Sequence, residues 1–265
     1  MYEFPRTAPV TVAADLLAGV FEMVAEDRDS AVVDVRPYDG SAGSREQAAR
    51  TQVGLDGDVL SVVVPDRAGG LFRLRFGGVR VLVRVPLDSS GRIKVASADV
   101  RCRGRYADLT VGSASGDVEI EHVTGDADVD TASGDIEVSR VDGRLEVKGA
   151  SGALVARQVG GPLRARLSSG DVDISDAGDA VEIKTASGAV RVGAARRGQV
   201  RIGTASGDVG IGVRPGTGVW LDLNTISGTT RNGLDVGTAP VVAGGPDLSL
   251  EIRTVSGDIE VRRAA

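Results

Sequence analysis

A chain of 265 residues with formal net charge −6, 42% hydrophobic and only 3% aromatic residues, has the makings of one elongated all-β domain on a core of Val, Ile, Leu and Ala. It has no basic domain and no aromatic platform on which bases could stack, so nucleic acid is not an expected partner. One cysteine, Cys102, and one histidine, His122, exclude an internal disulfide and any metal site built from Cys and His.

The first residues, Met1 to Thr7, lack a cationic segment leading into an apolar run, and no apolar run anywhere is long enough to span a bilayer. Neither a secretory signal nor a transmembrane segment is expected, and the expected compartment is the cytoplasm. Phe4 to Val12 predicts a first strand. Gly19-Val-Phe-Glu-Met-Val-Ala predicts a second, and Ala31 to Pro37 a third, ended by a proline that cannot donate to a ladder. A polar loop follows over 38–50, with Ser44 placed to cap a short helix over Arg45–Arg50. Residues 51–64 return to strand, with Leu60, Val62 and Val64 alternating, and Val79 to Pro86 is another strand.

Between them lies Gly69-Gly-Leu-Phe-Arg-Leu-Arg-Phe-Gly-Gly. It places Phe72 and Phe76 on one face of a strand and Arg73 and Arg75 on the other. Two readings stand side by side. The segment is a docking surface for a partner or an anionic membrane, or it is an edge hairpin packing its phenylalanines over the open end of a core.

From about Ala98 a nine-residue unit takes over: Gly116-Asp-Val-Glu-Ile-Glu-His-Val-Thr, then Gly125-Asp-Ala-Asp-Val-Asp-Thr-Ala-Ser, then Gly134-Asp-Ile-Glu-Val-Ser-Arg-Val-Asp. Ser-Gly pairs begin at Ser115, Ser133, Ser151, Ser169 and Ser187, each 18 residues after the last, and continue at steps of 19, 21 and 29 to Ser206, Ser227 and Ser256. The third and fifth residues of each unit are apolar and the second, fourth and sixth mostly polar, which is the period of a strand. Glycine supplies the φ > 0 a tight corner needs. Self-similarity at a fixed period marks a repeat architecture. The expected fold is therefore an all-β, parallel β-solenoid of about 18 residues, two nonapeptide strands, per coil. Residues 1–96 form a strand-rich N-terminal part continuous with or capping it. Residues 97–265 form the regular coils and an irregular last one. Trp220 is expected to plug a wider coil. Arg262 and Arg263 are expected to protect a final strand edge.

Stacking turns surface residues into files. Position four reads Glu146, Arg164, Glu182, Arg201, alternating in sign and able to fix register. Position six reads Lys148, Arg166, Lys184. Three stacked cations repel, so either an anionic partner surface offsets them or the long side chains splay into solvent. Asp117, Asp135, Asp171 and Asp208 follow corner glycines. The double-glycine corner of a calcium-binding nonapeptide is missing, so these carboxylates are expected to bond corner N–H groups rather than calcium. Cys102 falls on an inward position and reads as a core thiol. No cofactor is expected.

These Ser-Gly-Asp-Val/Ile-x-Val units, with the closing Thr254-Val-Ser-Gly-Asp-Ile-Glu-Val-Arg-Arg, resemble the bacterial "putative adhesin" β-strand-repeat family, domain of unknown function 4097. The likeness covers nearly the whole chain and is strongest over 97–261. The Val-, Asp- and Arg-rich composition is similar to that of high-GC actinobacterial members. The resemblance implies the repeat architecture and surface binding, and it carries over no site residues. The expected function is a non-enzymatic scaffold or interaction module that binds a protein partner or associates with itself. The alternatives are an adhesin-like binder associated with the cell envelope and, behind it, a carbohydrate-active β-helix enzyme. Phe72, Arg73, Arg75, Phe76, Lys148, Arg166 and Lys184 are the candidate partner-binding residues.

Overall fold

Alternation decides which way each strand faces. In Val118-Glu-Ile-Glu and in Val181-Glu-Ile-Lys the aliphatic residues are buried and the charged ones face outward, as a half-buried pleated strand requires. The computed structural model describes residues 1–65, 77–234 and 247–264, and the chain divides into two units, Met1–Asp135 and Ile136–Ala265. Both are built of parallel β-coils. Among the described residues no helix is long and apolar enough to cross a membrane.

The first unit contains β1 (Tyr2–Pro5), β2 (Thr11–Glu26), β3 (Ser30–Pro37), α1 (Ala42–Arg50), β4 (Gln52–Asp56), β5 (Val59–Val63), β6 (Val79–Pro86), β7 (Ser90–Tyr106), β8 (Leu109–Ser115), β9 (Val118–Val123) and β10 (Ala127–Ser133). The single strand expected from Phe4 to Val12 is broken, because Pro5 and Pro9 cannot donate to a ladder. β2 is a whole coil in one strand, turned at Gly19 with φ 125°. It runs parallel to β7 with Gly19 opposite Ala98. β7 carries β8 and β9, and β8 carries β10 with Ser115 opposite Ser133. Coil stacking therefore begins at Thr11.

On its other side β2 pairs in parallel with β5 and β6. A later piece of chain thus lies outside the first coil. Antiparallel strands finish this side: β3 on β6, β1 on β3 and β4 on β5. The helix starts earlier than the sequence indicated. Ser41, not Ser44, is its N-cap, and its side chain accepts from the Ser44 N–H. Ser44 is buried and its Oγ accepts from Gly78 N–H at 3.1 Å. Cys102 is a core thiol, pushed up to about 12 by burial. Tyr106 fills the same interior and donates its hydroxyl to the Met23 carbonyl at 2.7 Å.

The second unit contains β11 (Ile136–Val141), β12 (Leu145–Ser151), β13 (Leu154–Val159), β14 (Leu163–Ser169), β15 (Val172–Ala177), β16 (Val181–Ser187), β17 (Val190–Ala195), β18 (Gly198–Ser206), β19 (Val209–Val213), β20 (Val219–Ser227), β21 (Thr230–Asn232), β22 (Leu248–Ser256) and β23 (Ile259–Arg263). One face is the ladder β12–β14–β16–β18, with Leu145, Leu163, Val181 and Val200 in one file. Another is β11–β13–β15–β17–β19.

Chain order then fails. β18 pairs with β22, and β22 with β20; β19 pairs with β23, and β23 with β21. The last coil in sequence is inserted between the two that precede it. This corrects two expectations. Arg262 and Arg263 do not stand on a final edge strand, because β23 lies between β19 and β21, although β21 pairs with it only as far as Val261. Trp220 plugs nothing: it points outward beside Ser249 and is 51% exposed.

The corners explain the glycines. At Gly134 φ is 124°, and a Cβ there would lie 2.2 Å from the Gly116 carbonyl oxygen. The aspartates after them behave differently from the local turns expected. Each carboxylate reaches the next coil rather than its own corner. Asp135 N–H donates to Asp117 at 2.9 Å, Ala189 N–H to Asp171 at 2.8 Å and Asp258 N–H to Asp208 at 2.8 Å. Parallel stacking at roughly 4.8 Å brings that donor within reach. Position eight of the nine-residue unit is of two kinds. Ala132, Ala150 and Ala186 beside the Ser-Gly corners are exposed, whereas Val141, Val159 and Ala177 at the other corner are buried.

Inside the Ser-Gly corner runs a file of hydroxyls. Thr185 donates to the Ser187 carbonyl at 3.0 Å, but Thr204 and Thr254, which face each other across β18 and β22, have buried hydroxyls without a partner among the described residues. Replacing an unpartnered buried hydroxyl by a methyl removes a desolvation cost at constant shape. Thr254→Val is expected to raise stability by about 1 kcal/mol and Thr185→Val to lower it by about as much. Urea midpoints of the two variants check this.

Candidate functional site

The ladder through β12, β14, β16, β18 and β22 presents a flat face whose side chains are aligned by register. The position-four file reads Glu146, Arg164, Glu182, Arg201, Glu251. Its charges pair along the file, Arg164 to Glu182 at 3.0 Å and Arg201 to Glu251 at 3.2 Å. It is close to self-neutralising, as its alternation implied.

Two residues further along each strand the file reads Lys148, Arg166, Lys184, Gly203, Arg253. The structure thus brings three of the candidate residues into one column, a strand spacing apart. Lys148 leans on Glu146 at 3.1 Å and Lys184 on Glu182 at 3.0 Å. Arg166, between them, has no ion-pair partner among the described residues. Phe72, Arg73, Arg75 and Phe76 lie outside the described residues. Arg253 is the member the sequence reading missed. It joins only because β22 stacks on β18, although the shared Thr-x-Ser-Gly-Asp phase of the two strands was a signal for it.

The carboxylates beside the column are held ionised. Hydrogen bonding from Lys148 keeps Glu146 below its ordinary value, and Lys184 does the same for Glu182. At the corner of the same unit the Thr229 N–H lowers Asp258. A carboxyl lowered in the folded state contributes stability that is present above its unfolded pKa, about 4, and is lost as pH falls through the lowered value. Melting temperature is therefore expected to fall as pH drops below about 4, and part of that fall should vanish in Glu182→Gln. Melts from neutral to acid pH compare the two chains.

Parallel coils from tandem nonapeptides, with surface residues held in charged files, define the class: a β-solenoid whose side chains stand in register from coil to coil. The chain belongs to the Toastrack DUF4097 family, whose model matches residues 40–262. Similar solved structures include a putative adhesin from Bacteroides fragilis, 12% identical over 98% of this chain and 95% of that one, with a TM-score of 0.40. Another is a putative adhesin from Parabacteroides merdae, 10% identical over 98% and 94%, with a TM-score of 0.38. A third is a putative cell adhesion protein from Clostridium sporogenes, 9% identical over 99% of both chains, with a TM-score of 0.25. No curated protein matches the chain.

Proposed function

We propose that this chain is a non-enzymatic interaction module that holds an acidic partner along the file Lys148, Arg166, Lys184 of its second unit. The observation that carries the reading is the file itself. No carboxylate interrupts it from Lys148 to Arg253, in a chain whose net charge is −6. Cations fixed about 4.8 Å apart by the backbone repel one another. An acidic surface laid along them relieves that repulsion and meets side chains already in place, so little ordering entropy is lost on binding. A protein surface, a second copy of the chain or an envelope polymer could each supply the acid.

The test uses the full chain with a poly-glutamate peptide as probe and sedimentation of the chain alone over a range of concentrations. Binding to the peptide at low salt, weakened at least tenfold in Lys148→Gln/Arg166→Gln/Lys184→Gln, supports the reading. So does association between copies that the same triple variant abolishes. A monomer that ignores the peptide, or that binds it equally well in the variant, removes it.

A further inference from the structure

A different ladder of the second unit carries a gap in its decoration. Just past the ends of β11, β13, β15, β17 and β19, successive coils place Asp142, Gly160, Gly178, Arg196 and Arg214 at one position. The paired glycines leave a trough of about 280 Å³, lined by Gln158, Asp176, Arg196 and Arg197 beside the glycine floor. That is close to the lower bound of small-ligand pockets, roughly 300 Å³.

Its charges do not balance. Asp176 accepts from Arg196 at 2.6 Å and from Arg214 at 3.0 Å, so one carboxylate serves two guanidinium groups. The Nε of Arg214 is buried without a partner among the described residues. The side chains of Arg197 and Gln158 make no hydrogen bond or ion pair among the described residues. Hydrogen bonding from Arg196 holds the Asp176 carboxyl below its ordinary value. The acid thus stays ionised, keeps Arg196 oriented, and still leaves the cluster cationic.

We propose that this trough binds a compact oxyanion, the carboxylate or phosphate group of a ligand of about sugar size, gripped by Arg196 and Arg197 with the Gln158 amide facing it. Guanidinium forks match both oxyanions in plane, two bonds at a time. Arg196 is pre-set by Asp176, which lowers the ordering cost. The site is separate from the basic file, and the variants that test it leave that file untouched.

Calorimetric titration of the full chain with inorganic phosphate, glucuronate and glucose tests the site. Saturable one-to-one binding of phosphate or glucuronate is expected, with none of glucose, and the anion that binds identifies the source of the oxyanion. Arg197→Ala should weaken binding at least tenfold with little change in melting temperature, since the Arg197 side chain makes no hydrogen bond or ion pair among the described residues. If neither anion binds at millimolar concentration, or if Arg197→Ala binds as the parent chain does, the proposal falls.

Discussion

Gly188→Ala is expected to destabilise the chain by about 3 kcal/mol or more, the combined scale of a forbidden backbone conformation and a blocked approach. Gly188 sits at φ +133°, and a Cβ on it would lie 2.1 Å from the carbonyl oxygen of Gly170 on the neighbouring coil. The obstacle is main chain, so no side chain can move aside. Nor can the corner swing free: Gly188 N–H donates to the Ser206 carbonyl at 3.0 Å. Its own carbonyl oxygen lies 2.0 Å from where a Cβ of Gly207 would stand, so the strain passes to the next corner.

Gly203→Ala is the matched control. Gly203 lies within β18, and a Cβ there meets nothing within 4 Å. Alanine should be neutral or stabilising by up to about 1 kcal/mol, because glycine is costly inside a strand. Urea denaturation of both variants gives the comparison. Similar midpoints would show that contact between coils does not hold the corners.

The second large effect concerns the order of the coils. Ile252 on β22 is fully buried, with β18 on one side and β20 on the other. Its register partner Leu223 on β20 is only half-buried. Ile252→Ala is expected to cost about 2–5 kcal/mol, as for other large-to-small changes in closed cores. Leu223→Ala should cost less than half of that, since much of the side chain already meets water. Stacking in chain order would reverse the ranking, because 219–232 would then be the inner coil. Thermal or urea unfolding of the two variants separates the two arrangements.

That arrangement was written in the sequence more faintly than the repeat. The inward positions after Gly257 are Ile259 and Val261, and those after Gly228 are Thr230 and Asn232. Polar residues at inward positions are tolerable only where a coil meets solvent, so the pair Thr230 and Asn232 marked an outer coil. The mark is easily passed over, because the Ser-Gly phase of 219–232 looks like that of every other coil. The site divides the same way. The column Lys148, Arg166, Lys184 follows from the period alone. The Asp176, Arg196 and Arg214 cluster lies beyond strand ends, where spacing by eighteen says nothing of which side chain turns toward which.

Taken alone, the sequence settled the strand period, the coil length, the glycine corners and the alternation of charge down position four. Each of these depends on a residue and its nearest repeats, and a parallel stack transmits such local rules without change. The tertiary structure decided which coil lies against which: β5 and β6 pass outside β2, and β22 and β23 pass inside β20 and β21, an order of which Thr230 and Asn232 were the faint mark. Repeats with the same inward residues are interchangeable neighbours for a ladder. The choice among them falls to the connections between coils and to the coil whose polar interior can best face water.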